Sequence, residues 1–490
     1  KQILFEKTPA NVTEQELTIA ANNAFSSCAA EVIILPTRLA KIDFPTIFGG
    51  CKSLKTVGFV GEGGSYEAVS LNDGIKYEFD SDNDGTLETI TCGVVVDKSN
   101  AAKKALVFSP VAYELPTTNT SKVFEVPANI AVIGPSAFVG TKFKGIKIGE
   151  NVEEIGENAF KGCTTLESIT IENGEGDAVP LTIKANAFNG CKNASITKIV
   201  IPARTVSIEA SAFYQVACSE IVFEGTDAVL EIGEKAFASN SALKTVTFGA
   251  SVKHVATAAF YSCNNLKTII LDCGPDVVFD ECVFGSASNS SYSGKITSVT
   301  IGKEMAFIKL GAVVGANVTS IAIDKANINY KMEGGKESYV IKETIAGVDG
   351  SVTETGKTVT VDTLPEGVTA EKTYVNGGVV YSGDGKVFAL YPASLTNVDL
   401  TIPDTVEEIV SFVLYSNKKV TGTITIGSGV KVIGNAAFRS GAYKNLIIKG
   451  GEAEMSIGDW AFANNSNIQT LTIPGRVKTI NEKAFCYASS

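Results

Sequence analysis

The side chains best equipped for chemistry lie in one acidic stretch, Asp80-Ser81-Asp82-Asn83-Asp84-Gly85-Thr86-Leu87-Glu88. Carboxylates at alternate positions followed by a glycine form the opening of an EF-hand calcium loop, where oxygens from alternate residues converge on a hard cation. Asp80, Asp82 and Asp84 occupy the leading ligand positions and Glu88 follows them. The closing position, which should hold a bidentate Glu, is Thr91. The flanks Ile75-Lys76-Tyr77-Glu78-Phe79 and Leu87-Glu88-Thr89-Ile90 read as strands, whereas an EF-hand needs helices. An acidic hairpin turn and a weak calcium site are both open at this point, and no cofactor is expected.

Catalytic constellations are thin. One histidine, His254, is present, so any Ser-His-Asp or Cys-His site must use it. It sits in Ser251-Val252-Lys253-His254-Val255 beside apolar positions, and is expected to be a solvent-facing structural residue. Glu153 with Glu154, and Glu407 with Glu408, have the residue types for paired-carboxylate glycoside hydrolysis. They stand at variable positions of a repeated pattern, which makes them solvated surface. Trp460 is the single tryptophan and reads as partly buried packing rather than a sugar platform.

The elements that position these residues are repeats. Ala-Phe recurs at Ala24-Phe25, Ala137-Phe138, Ala159-Phe160, Ala187-Phe188, Ala212-Phe213, Ala236-Phe237, Ala259-Phe260, Ala437-Phe438, Ala461-Phe462 and Ala484-Phe485. Neighbouring copies are mostly 22 to 25 residues apart, within the range of leucine-rich repeats. In each unit a Leu-x-x-Ile-x-Ile segment alternates with period 2 and so predicts a short strand with one buried face. Pro or Gly follows, as at Pro202, Gly302, Pro403 and Pro474, and ends the strand. A returning arc then carries Val-x-x-Ile and Ala-Phe inward. Strands of successive units are expected to stack into one parallel sheet, with stability arising from nearest-neighbour stacking.

Six of the ten cysteines, Cys28, Cys51, Cys163, Cys191, Cys218 and Cys263, follow the repeated Phe closely. A cysteine locked to the register of a repeat is a small buried hydrophobe, so free thiols are expected. Bridging of neighbours such as Cys163 and Cys191 is the alternative.

The pattern Leu-x-x-Ile-x-Ile-Pro-x-x-Val-x-x-Ile-x-x-x-Ala-Phe-x-x-Cys resembles the BspA-like leucine-rich repeat family of bacterial surface proteins. That resemblance covers about two thirds of the chain. It implies a right-handed leucine-rich repeat solenoid with a parallel β-sheet face and a secreted or surface-anchored setting. It further implies adhesion to host matrix proteins or to other cells, without naming a ligand.

The repeat lapses twice. The expected organisation is N-terminal repeats over 1–60, a β-rich insert with a hairpin over 61–122, a central array over 123–326, a β-hairpin insert over 327–395, and C-terminal repeats over 396–490. Both inserts hold similar text, Gly93-Val94-Val95-Val96 leading to Ala105-Leu106-Val107-Phe108, and Gly378-Val379-Val380-Tyr381 leading to Val387-Phe388-Ala389-Leu390. Two apolar runs around a polar turn predict a β-hairpin in each.

A net charge of −11 disfavours nucleic acid as a partner, and no apolar run is long enough to span a bilayer. The chain opens at Lys1-Gln2-Ile3-Leu4-Phe5 without a signal sequence, so a targeting segment is expected outside it. The remaining surface for binding is the outward column of the strands, which includes Lys147, Thr170, Thr247 and Thr300, with a second column at Lys144, Lys198, Lys244 and Lys267. Thr and Val rows edged by Lys suit an acidic protein or a glycan, host extracellular matrix among them. Three readings follow: a non-enzymatic binding or adhesion protein, a spacer that displays another module, and a glycan-active enzyme.

Overall fold

The computed structural model describes residues 1–490 apart from 8–15, 20–23, 70–74, 83, 85, 116–118, 175–177, 228, 286–294, 347–351, 366–367 and 489–490. The chain forms two compact units, residues 1–225 with 229–242, and residues 226–228 with 243–490. Each is a stack of β-coils. Among the described residues helix is confined to two short turns, Phe44–Ile47 and Leu310–Val314.

In the first unit, strands Val123–Glu125, Gly145–Ile148 and Ser168–Ile171 pair in parallel, as do Lys198–Ile201 and Glu220–Phe223. These are the predicted Ile-x-Ile segments. Alternate residues Ile146, Ile148, Ile199 and Ile201 are fully buried, as period 2 demands. The returning arcs are strands too. Ile130–Ile133, Glu154–Ile155, Leu181–Ile183, Thr205–Ile208 and Leu230–Ile232 form a second parallel ladder. The expectation of one sheet is thereby corrected: the Val-x-x-Ile text also alternates over just enough residues to pair with its neighbour.

Between the ladders run the Ala-Phe turns. Phe138, Phe160, Phe188, Phe213 and Phe237 stack with centroids 4.8, 4.9, 4.9 and 5.0 Å apart. That spacing matches the separation of adjacent strands, so the rings follow the coil repeat. The N–H of each Phe donates to the Ala carbonyl of the next coil, Phe138 to Ala159 and Phe160 to Ala187, both at 2.7 Å. The alanine's small side chain permits this approach. Two residues before and two after each Phe, the backbone turns left-handed, at Asn158 (φ 56°) and Gly162 (φ 72°) around Phe160. Asn, Ser and Gly are frequent there because they tolerate that region at the least steric cost.

The second unit repeats this plan. Thr245–Phe248, Thr268–Leu271, Ser298–Ile301 and Ser320–Asp324 form one parallel ladder. Leu400–Ile402, Thr423–Ile426, Asn445–Ile448 and Thr470–Thr472 form another. Arcs at Glu408–Ile409, Val432–Ile433, Met455–Ile457 and Val477–Ile480 pair behind them.

Both hairpins implied by the repeated insert text are present, Glu88–Asp97 with Lys104–Phe108, and Val379–Ser382 with Val387–Leu390, each antiparallel. The inserts share one topology. A last parallel strand, Thr56–Val60 or Ser320–Asp324, pairs antiparallel with an insert strand, Glu88–Asp97 or Lys372–Asn376. A short strand beginning at a buried tyrosine then crosses over, at Tyr66 or Tyr330. The two hydroxyls do the same work, Tyr66 accepting from the Ile42 N–H at 3.1 Å and Tyr330 from the Ile308 N–H at 2.9 Å. The second insert adds a long antiparallel hairpin, Lys336–Ala346 with Val352–Val361, which the sequence reading missed.

Candidate functional site

The outward columns are in register as expected. Lys147 lies opposite Glu125 on one side and Thr170 on the other. In the second unit Thr247, Ile270, Thr300 and Ala322 form one outward row, and Thr245, Thr268, Ser298 and Ser320 a parallel one two residues earlier. Neither row carries a charge. Lys244 and Lys267 immediately precede their strands, and the Lys267 N–H donates to the Lys244 carbonyl at 3.1 Å. The two are exposed on adjacent coils and have no ion-pair partner among the described residues.

The lysines of the first unit differ. Lys147 pairs with Glu172 at 2.9 Å, Lys198 with Glu220 at 3.0 Å, and Lys144 with Glu167. Each glutamate belongs to the following coil. Glu172 holds the Lys147 ammonium above its ordinary value, first through the hydrogen bond and then through charge. The structure thus brings Lys244 and Lys267 together as uncompensated positive charge and leaves Lys144, Lys147 and Lys198 largely neutralised. The missed signal was in plain view, a Glu one repeat beyond each of those three lysines.

The acidic stretch forms a hairpin turn. Ile75–Phe79 pairs antiparallel with Glu88–Asp97, and Phe79 lies opposite Glu88. Asp80, Asp82 and Asp84 each bring one carboxylate oxygen into a cluster within 4.8 Å. Glu88 is occupied elsewhere, accepting from the Ser81 N–H at 2.8 Å and the Ser81 hydroxyl at 2.7 Å. The Thr86 N–H, 2.7 Å from Asp84 Oδ1, and the Ser81 hydroxyl at Glu88 hold these two carboxyls below their ordinary range.

His254 occupies a partly exposed outward position on its arc. Its Nε2 lies 3.1 Å from Asp280 Oδ1, on an arc one coil on, and the ring is only about a third exposed. Asp280 also accepts from the Thr257 N–H at 3.0 Å and its hydroxyl at 3.3 Å. The carboxylate pairs are spread among lysines: Glu153 meets Lys103, Glu407 lies between Lys386 and Lys431, and Glu408 meets Lys309 at 2.7 Å. Neighbouring arcs carry opposite charges here, which is a surface lattice rather than an acid and base flanking a cleft.

Six copies of the BspA type leucine-rich repeat region match residues 10–66, 116–178, 177–291 and 387–490, more than half of the sequence. The chain belongs to this family. It is similar to a leucine-rich cell surface protein from Faecalibacterium prausnitzii at 18% identity, over 85% of this chain and 87% of that one, with a TM-score of 0.42. It is also similar to the pneumococcal vaccine antigen PcpA (13% identity, 83% and 78% covered, TM-score 0.36). A leucine-rich repeat protein from Bacteroides ovatus is another such structure (17% identity, 85% and 92% covered, TM-score 0.34). Among curated protein sequences none matches significantly. Among the described residues no helix is long and apolar enough to cross a membrane.

In this BspA-type array the cysteine after Phe is a hydrogen-bonding position. Cys51 donates to the Phe25 carbonyl at 2.9 Å, Cys163 to that of Phe138 at 2.9 Å, and Cys191 to that of Phe160 at 3.3 Å. Asn240 and Asn465 take the same place, the latter donating to the carbonyls of Phe438 and Phe462 at 3.0 and 2.7 Å. All ten cysteines are free thiols. Burial pushes Cys163 up and Cys191 well up from the usual thiol range, so neither is a ready nucleophile. Trp460 is packed by cations, with Arg439 and Lys483 at 4.4 and 4.9 Å from its ring centroid.

Proposed function

We propose that this BspA-type repeat protein is a non-enzymatic binding or adhesion protein, secreted or held at a cell surface, whose ligand is a host or microbial protein or glycan bearing acidic groups. The observation that carries this is the strand face of the second unit. Two uncharged rows, an all-hydroxyl one from Thr245 to Ser320 and a mixed hydroxyl and aliphatic one from Thr247 to Ala322, run across four strands and are bordered by the uncompensated Lys244 and Lys267. An aligned flat face of this kind gives extended hydrogen bonding, and two cations on an otherwise acidic chain give it orientation and an ionic-strength-dependent on-rate. Membership of the repeat family supports the extracellular setting. A screen against extracellular-matrix proteins and a glycan array identifies the ligand, and a Lys244→Glu, Lys267→Glu variant then tests the face. Weaker binding with a shallower salt dependence is expected. Unchanged affinity and salt slope would move the site elsewhere.

A further inference from the structure

In the first unit Ile75–Phe79 is an edge strand. Its one ladder is to Glu88–Asp97, with Ile75 opposite Cys92 and Phe79 opposite Glu88. Among the described residues no strand pairs with its other edge, and none of its backbone groups bonds outside that ladder. Tyr77 and Phe79 are half-buried on one face, where they pack with Leu4 and Val32 against the small core of Ile34, Val60, Ile90 and Cys92. Lys76 and Glu78 alternate with them and stand exposed on the opposite face. Neither has an ion-pair partner among the described residues. An open edge presents a row of N–H and C=O groups that another strand can take up. Like charges along such an edge would repel a second copy of it. Here the two charges are opposite in sign and stand one residue either side of Tyr77.

We infer that this edge pairs with the same edge of a second copy of the chain, antiparallel, about a two-fold axis that passes through Tyr77 perpendicular to the sheet. An isologous contact sets each residue opposite its counterpart on the far side of the axis. Lys76 then faces the second copy's Glu78, Glu78 faces its Lys76, and the two Tyr77 side chains meet at the axis. Opposite charges directly across a ladder attract and like charges repel. The same rule selects the register, because moving the axis one residue either way puts Lys76 against Lys76 or Glu78 against Glu78. An axis through a residue suits either alternate set of outward N–H groups, since residue pairs in an antiparallel ladder are of both kinds. Opposed residues also point to one side of the sheet. Tyr77 and Phe79 therefore stay on the core side, and the second copy's strand extends the half-buried apolar rim they form with Leu4 and Val32. Five residues a side make a contact roughly 17 Å long, which belongs to the small, reversible class of interface.

This edge shares no residue with the strand face of the second unit, so the two readings fail separately. The test is sedimentation equilibrium of the whole chain from about 1 μM to about 0.5 mM, the range in which a contact of this size associates. A reversible monomer–dimer equilibrium is expected, with amide exchange in Ile75–Phe79 slowed at the higher concentrations. Lys76→Glu makes the edge wholly acidic and Glu78→Lys makes it wholly basic. Each variant alone should dimerise about tenfold more weakly or worse, because both symmetry-related pairs become repulsive. Mixed in equal amounts, the two should form a heterodimer, and Lys76→Glu combined with Glu78→Lys should restore self-association. Lys244→Glu with Lys267→Glu should dimerise as wild type does. A chain that is monomeric throughout, single variants that dimerise like wild type, a mixture that stays monomeric, or protection confined to other segments overturns the proposal. The wild-type exchange measurement stands even if a variant folds poorly.

Discussion

The Arg204 guanidinium donates from Nη1 to the carbonyl of Val152, 2.6 Å away and 52 residues back in the chain. Nη1 also reaches Val179 O at 3.2 Å, while Nε donates to Glu172 O at 2.7 Å and Nη2 to Gly149 O at 3.1 Å. One side chain thus closes turns from two earlier coils, and burial lowers its pKa from the ordinary arginine value. Arg476 does the same in the second unit, donating to Lys449 O at 2.8 Å, Gly427 O at 3.0 Å and Val430 O. Arg204→Met leaves several carbonyls without a donor and should cost about 3 kcal/mol or more. Chemical denaturation checks it; a midpoint equal to wild type would mean water replaces the guanidinium at no loss.

Phe160 is 1% exposed and stacks between Phe138 and Phe188. Phe160→Ala is expected to cost about 3–5 kcal/mol, as large-to-small truncations in a packed core do. Phe485→Ala should cost less, because Phe485 is half-buried and has one stacking neighbour, Phe462. Unfolding midpoints of the two variants rank them, and the reverse order would contradict the nearest-neighbour account of the array.

Cys163 and Cys191 hold matching positions on successive coils, with their thiols aimed at successive Phe carbonyls. Side chains displaced in parallel by one coil keep their Cβ atoms about 4.8 Å apart, outside the usual disulfide range. Alkylation followed by mass spectrometry should therefore label both only after denaturant is added. A native bridge between them would require the coils to shift.

The acidic turn should not respond strongly to calcium, since Glu88 is held by Ser81 and three aspartates remain, the half-buried Asp80 with the exposed Asp82 and Asp84. Melting in millimolar calcium and then in chelator should agree within a degree or so. The turn should respond to acid. Asp84 and Glu88 have folded-state pKa values below their unfolded ones, so their contribution is complete above about pH 4.5 and fades as the pH falls through the folded values. Glu88→Gln should flatten that dependence at the hairpin, read by amide exchange of Ser81 between pH 3 and 6.

Much of this was legible because a repeat states its rule many times. Ten Ala-Phe copies set the coil length, Ile-x-Ile predicted the strands, Pro or Gly ended them, and the matching insert text predicted two hairpins. The long hairpin at Lys336–Ala346 was harder to find, since among the described residues it has no repeated counterpart.

Local pattern could determine which residues face in, because burial in a coil depends on period 2 alone. It could not determine which charges cancel. Whether Lys198 meets Glu220 depends on the register that sets Lys198 opposite Glu220 across a ladder. The same holds for Arg204 reaching Val152. Those relationships join residues that are far apart in sequence and neighbours in space, so only the stacking of coils, which fixes distances of a few ångströms between them, decided what the surface offers.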